Sequence, residues 1–258
     1  VIVRTRIIFV CLAASLALAT LTQAQEIRDG SALLTAMHDR YKDIWYESVV
    51  FKENAITTNP DGTTKTEVWD EVLVMPGKLR INIGPSADGN GLIFADNSIT
   101  RFRNGKNLGT QHFVHMLLVL GFDIYRQNPA ATIDLVKADG FDLSQIHEEK
   151  WDGQDCYVIG AAKGDLKSKQ FWIEKNRLLF VRLIEPDAKD PAKTRESRFR
   201  GYQKLAGGWI STRVEFDTDG KNYFNEDYFA IKADTKVDPA LFDPNKFANT
   251  TIFNDPKK

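Results

Sequence analysis

Cysteine is almost missing from this chain: 258 residues contain two, Cys11 and Cys156. Cys11 lies inside an N-terminal apolar run, so a domain downstream of that run holds one thiol and no internal disulfide. Its stability must come from packing. Cys156, in the strand-like stretch "QDCYVIGAA", reads as a buried, inert thiol. A basic block is also lacking, since 34 Lys and Arg stand against 35 Asp and Glu. That balance excludes a nucleic-acid partner, because phosphate binding needs clustered positive charge. No G-x-S-x-G, phosphate-cradling glycine loop or Cys-x-x-Cys occurs. Beyond the N-terminus the greasiest stretch is "FVHMLLVLGF", about half the length needed to span a bilayer.

What is there begins with "VIVRTRIIFVCLAASLALATLTQAQ". Arg4 and Arg6 precede an apolar run from Ile7 to Leu21, and small residues follow it. This is the pattern of a secretory signal peptide, residues 1–24, with cleavage expected after Ala24. Removing Arg4 and Arg6 from the 34 basic residues leaves the remainder at a formal −3. A secreted domain over 25–258 is long enough to bury a sizeable core.

The spacing of Leu33, Leu34, Met37 and Tyr41 predicts a helix capped by Ser31 and running to about Lys42. Turn pairs then recur at Asp61-Gly62, Pro76-Gly77, Asn104-Gly105, Asp152-Gly153, Asp219-Gly220 and Gly207-Gly208, with β-rich runs between them. These predict an antiparallel meander. A two-residue turn at Pro76-Gly77 sets Val74 opposite Leu79 and Val72 opposite Ile81, giving Val68, Val72, Val74, Leu79, Ile81 and Ile83 one shared face. In "KQFWIEKNRLLFVRLIE" a turn at Lys175-Asn176 pairs Phe171 with Phe180 and Trp172 with Leu179, leaving both faces apolar. Such a strand is covered on both sides or leaves one for a ligand.

Two helical segments interrupt the meander between His112 and Lys137. Phe113, Met116, Leu117 and Leu120 form a stripe, with Val114, Leu118 and Val119 filling the other faces. A helix apolar all round is a buried one, here a plug against the greasy side of the sheet. The second segment starts at Pro129 and ends at Gly140, with Ile133 and Val136 inward.

Catalytic and metal signals are few. His112 and His115 at i and i+3 lack an evident third ligand. "DTDG" at Asp217–Gly220 starts like a calcium loop but has Tyr228 at the bidentate acid's place, so it reads as a hairpin turn. Glu148-Glu149 and Asp187-Asp190 lie in charged, turn-like stretches and read as solvated surface. No metal, no cofactor and no enzymatic activity are expected.

The succession of leader, first helix, "VMPGKLRINI", "LIFADNSITRF", apolar helices, "WDGQDCYVIGAAK", "FWIEKNRLLFVRLIE", "GGWISTRVEFDTDGKNYFNEDYF" and "VDPALFDPNKF" resembles the LolA-type lipoprotein carriers of bacterial envelopes. The resemblance implies an α+β fold: an incomplete antiparallel β-barrel, a curved meander sheet, with helices as a lid over an apolar cavity. It implies a monomeric periplasmic carrier of lipid or lipoprotein acyl chains, served by membrane-bound donor and acceptor proteins. The cavity residues expected are Val72, Val74, Leu79, Ile81, Phe94, Phe113, Met116, Leu117 and Leu120. Where such carriers have a basic residue before the turn proline that helps fasten the lid, this chain has Met75. An envelope sensor with the same fold is the alternative reading, and a hydrolase, for which no residue is nominated, is the third.

Overall fold

The computed structural model describes residues 27–253; the expected leader lies outside them. In chain order the elements are α1 (Gly30–Tyr41), β1 (Ser48–Thr58), β2 (Thr64–Val74), β3 (Lys78–Asn82), β4 (Gly91–Ala95), β5 (Ser98–Arg103) and β6 (Lys106–His112). There follow α2 (Met116–Gly121), α3 (Pro129–Ala138), β7 (Ile146–Trp151), β8 (Gln154–Ile159), β9 (Gln170–Glu174), β10 (Leu179–Pro186) and β11 (Thr194–Arg200). A small hairpin, β12 (Gln203–Leu205) and β13 (Gly208–Ile210), precedes β14 (Arg213–Thr218) and β15 (Lys221–Ala233). Two 3-10 turns, Pro239–Phe242 and Pro244–Asn249, complete the described chain.

Thirteen strands form one antiparallel sheet in the order β6-β5-β4-β3-β2-β1-β15-β14-β11-β10-β9-β8-β7. The sheet curves but β6 and β7 stay apart, so the barrel is incomplete. Its tight turns follow the local sequence. Asp96-Asn97, Asn104-Gly105, Asp152-Gly153 and Asp219-Gly220 each hold two residues at positive φ, the backbone a two-residue hairpin loop needs. The DTDG stretch is the β14–β15 turn.

α1 starts two residues earlier than its sequence suggests, because Asp29 rather than Ser31 caps it by accepting from the Ala32 N–H at 2.8 Å. Leu33, Leu34, Met37 and Tyr41 are buried as expected. Its end joins an aromatic cluster in which Trp45 stacks on Tyr125 at 3.8 Å. The Tyr41 hydroxyl donates to the Arg177 carbonyl at 2.6 Å, and the Tyr125 hydroxyl accepts from the Phe180 N–H at 3.2 Å. These bonds fix α1 and the turn after α2 to the β9–β10 connection.

Both predicted hairpin registers are corrected. The β2–β3 loop is three residues, Met75-Pro76-Gly77, so Val74 pairs with Lys78, Leu73 with Leu79, Val72 with Arg80 and Glu71 with Ile81. A shift of one residue turns a strand over. Trp69, Glu71 and Leu73 therefore share the concave face with Leu79 and Ile81, while Val72 and Val74 face the convex side. Pattern could not decide this, because both faces are buried: the C-terminal turns pack Leu241, Phe242 and Phe247 over Val72, Ile93 and Phe102. The β9–β10 loop is likewise longer, with Leu179 opposite Glu174 and Phe180 opposite Ile173. There the Glu174 carboxylate accepts from the Asn176 and Arg177 N–H groups at 2.6 and 3.1 Å, and Leu178 takes a positive φ.

Arg80 clamps the C-terminal segment to the convex face. It is 1% exposed, donates to the carbonyls of Leu241, Phe247 and Thr250 at 3.2, 3.0 and 2.8 Å, and lies 4.2 Å over the Phe247 ring. Cys156 is fully buried beside Val158, Trp172 and Val181.

Candidate functional site

The concave face of β1, β2, β3, β14 and β15 is the floor of a hollow, and α2 is its roof. Strand alternation delivers Phe51 from β1, Leu73 from β2, Leu79 and Ile81 from β3, and Val214 and Phe216 from β14. From the roof come Leu117 and Leu118, and Phe122 and Phe199 close one end. The cavity volume is about 90 Å³, or about 490 Å³ when the open mouth is counted with it.

α2 is held at both ends. Its first turn is capped by His115, whose Nδ1 accepts from the Leu118 N–H at 3.4 Å. Burial drives the His115 imidazole down to about 4, so it is neutral at physiological pH. At the other end Gly121 lies so close to Phe199 that an added Cβ would sit 2.8 Å from the ring. Just beyond, Asp123, 2% exposed, accepts from the Gly77 N–H at 2.9 Å and ties the roof to the β2–β3 turn. Met75, in the place of the fastening basic residue, is buried in the core.

The hollow is not wholly apolar. Glu71, Glu226 and Tyr228 line it alongside His115, and Glu53, on the strand between theirs, is fully buried with its carboxyl hydrogen-bonded to that of Glu71. The Tyr228 hydroxyl donates to Glu226 Oε2 at 2.8 Å. Burial, with repulsion from its carboxylate neighbours, holds Glu53 and Glu71 far above the usual carboxylate range. Burial pushes Glu226 up to about 7, against the hydrogen bond from Tyr228.

Of the expected cavity residues, Leu79, Ile81 and Leu117 line this hollow. Phe94 and Phe113 flank a second, smaller recess between the β4–β5 turn and α2, where Phe113 is 41% exposed. Met116 and Leu120 are buried in the core without lining either recess. Val72 and Val74 are on the other face of the sheet, the consequence of the register shift. The carboxylates went unnamed from sequence. The signal for them was the period-2 alternation in "VVFKENA" and "FNEDYF", which places Phe51 with Glu53, and Glu226 with Tyr228.

An open antiparallel half-barrel with a short helix over its concave face is a LolA-like fold, and this chain has one. No protein-family model matches the chain, and no curated protein matches it in sequence. Solved structures do. A DUF1329 family protein from Desulfovibrio piger is 17% identical, with 83% of this chain and 95% of that one covered at a TM-score of 0.54. A LolA superfamily protein from Nitrosomonas europaea is 13% identical, covering 81% and 96% at 0.53. A domain assigned to outer membrane lipoprotein sorting, from Vibrio parahaemolyticus, is 13% identical, covering 85% and 98% at 0.52. At such identities the likeness is one of fold. Among the described residues no helix is long and apolar enough to cross a membrane.

Proposed function

We propose that the protein is a periplasmic binding protein that carries the acyl chains of lipids or lipoproteins, a non-catalytic role. The observation that carries this reading is the hollow itself: its floor is an apolar sheet face, and its roof is a separate six-residue helix tied down by a few polar contacts. The leader-like N-terminus and the fold shared with a lipoprotein-sorting domain support the same reading. Opening would move α2 away from Leu79 and Ile81, breaking the Asp123 to Gly77 bond. Cargo would then pass between membrane-bound donor and acceptor proteins, with the carrier a monomer.

The test is direct. The protein purified from its native envelope should show bound lipid by native mass spectrometry, and should take up a fluorescent fatty acid. Leu117→Asp, which puts a charge under the roof, should lower that uptake at least tenfold, the cost of burying an unpaired carboxylate. Absence of both bound lipid and uptake would overturn the reading.

A further inference from the structure

A concave row that begins on the floor of the hollow runs out to the edge of the sheet. Ile81 is directly opposite Leu92, and Leu92 opposite Arg101, so β3, β4 and β5 carry one line from the hollow to the β5–β6 hairpin. Alternation places Arg103 on the same side as Arg101, and Lys106 is opposite Arg103. A bulge in β6 then sets Leu108 and Gly109 against Arg101. Leu108 is 60% exposed, and Phe113, just past the far end of β6, is 41% exposed. They are two of the six large apolar side chains exposed among the described residues, and one strand carries them both to the surface.

The three cations have no acid to answer them. Arg101 donates to the Gln111 side-chain oxygen at 3.1 Å, a neutral partner, while Arg103 and Lys106 are exposed and form no ion pair among the described residues. From Asn97 to His112 the chain has no Asp or Glu. Asp88 is in the turn whose Gly89 carbonyl accepts from the Gly105 N–H at 2.9 Å, but it is exposed and pairs with none of the three. Other cations are matched: Lys52 with Asp70, Lys65 with Glu67, and Lys169 with Asp139. The hairpin is thus an unmatched positive strip with an apolar side chain at either end.

Resting on the carrier reading, we propose that the concave side of the β5–β6 hairpin docks on an anionic lipid bilayer, with Arg101, Arg103 and Lys106 against the phosphate head groups and Leu108 and Phe113 entering the interface. Each cation near such a surface strengthens binding by roughly fivefold, and an apolar side chain that leaves water for the acyl boundary adds its own transfer gain. Three charges and two anchors make a reversible attachment, which suits a carrier that must leave. Contact here brings the lipid to the row that leads through Leu92 to Ile81 in the hollow. A peptide strand added along β6 is a poorer match, because the bulge, with Gly109 at a φ of 113°, breaks the run of hydrogen-bonding positions that a partner strand needs.

Vesicle flotation of the purified protein tests this. Binding to vesicles of equal parts phosphatidylglycerol and phosphatidylcholine should be at least about tenfold stronger than to phosphatidylcholine alone. It should fall at least about tenfold between about 0.1 and about 1 M salt, as the screening length shrinks from about 10 to about 3 Å. Arg103→Glu with Lys106→Glu should weaken it at least about tenfold, and Leu108→Ser about tenfold. Lys189→Glu with Lys221→Glu makes the same change of net charge at exposed positions outside the hairpin and should leave it unaltered. Every variant should still take up a fluorescent fatty alcohol in the absence of vesicles, which shows the hollow intact. Equal binding to the two kinds of vesicle, hairpin variants that bind like the unaltered protein, or an equal loss in the Lys189 and Lys221 variant overturns the docking surface and leaves the carrier reading standing. Self-association through β6 in sedimentation, lost in Leu108→Ser and with no vesicle bound, overturns it in favour of a second copy at this edge. Absence of fatty-alcohol uptake by the unaltered protein removes the carrier reading, and with it the delivery role of this surface, whatever the vesicles show.

Discussion

Three clustered glutamates, Glu53 and Glu71 buried and Glu226 half-buried, make the stability of the unliganded protein fall as pH rises through neutrality. Glu53, Glu71 and Glu226 have folded-state pKa values raised above the unfolded value by burial, with repulsion from neighbouring carboxylates adding to the rise at Glu53 and Glu71. Between the two values the native state holds protons that the unfolded chain has lost, so each such proton lowers unfolding free energy by about 1.4 kcal/mol per pH unit. One proton retained from pH 6.5 to 8.5 costs about 3 kcal/mol, a large share of a domain's roughly 5–15 kcal/mol. Asp123, raised by burial to about 7, adds to the fall at the lower end of that range. His115 acts in the opposite sense but only between about 4 and its unfolded value near 6.5, which is why the measurement starts there. Urea unfolding followed by tryptophan fluorescence at pH 6.5, 7.5 and 8.5 reads the slope. Glu53→Gln should flatten it by close to one proton's worth and leave the variant more stable than the original at pH 8.5. A flat or rising profile, or a Glu53→Gln slope equal to the original, would refute the assignment of buried protons to this cluster.

Other consequences are independent of the carboxylates. Arg80→Leu leaves the carbonyls of Leu241, Phe247 and Thr250 without their donor and should cost about 4 kcal/mol, with early proteolytic cleavage between residues 237 and 250 as the local sign. Gly121→Ala gains about 0.5–1 kcal/mol of helix propensity but drives a methyl group into Phe199, which Phe122 and Phe180 hold edge-on. The net should be a loss of about 1–2 kcal/mol by thermal or urea denaturation. Cys156, whose thiol burial pushes up to about 12, should resist a thiol reagent at pH 8 in the native protein and react at once in denaturant.

The meander was legible because its turns are local: Asn104-Gly105, Asp152-Gly153 and Asp219-Gly220 dictate a backbone that residues nearby need not help to form. α1 and α3 were legible from their apolar spacing and, for α3, from Pro129 at the first turn. Registers were not, since they depend on segments far away. The Met75-Pro76-Gly77 loop is read correctly only once Asp123 is known to bond Gly77, 46 residues on, and once the C-terminal turns are known to cover Val72. The site inherited that error. A shift of one position exchanged Val72 and Val74 for Glu71 and Leu73 on the concave face, and with Glu71 came the acidic end of the hollow.

That exchange bears on how a carrier lets go. At about 0.8 kcal/mol per buried methylene, a sixteen-carbon chain sheltered along its whole length gains on the order of 10 kcal/mol, and three such chains exceed the roughly 18–21 kcal/mol at which non-covalent affinity saturates. A wholly apolar hollow therefore binds too well to deliver. Here the floor that Leu79, Ile81 and Phe216 make greasy is interrupted by Glu71 and Glu226, so a tail lying across it covers polar carboxyls as well as hydrocarbon and forfeits part of the gain. The register of a single hairpin thus sets the balance between holding and release. Replacing Glu71 by Leu should raise the affinity for dodecanol at least about tenfold and slow its dissociation in proportion, measurable by displacement of a fluorescent fatty alcohol. Unchanged or weakened dodecanol binding in that variant would mean that the acids do not limit how firmly the hollow grips a tail.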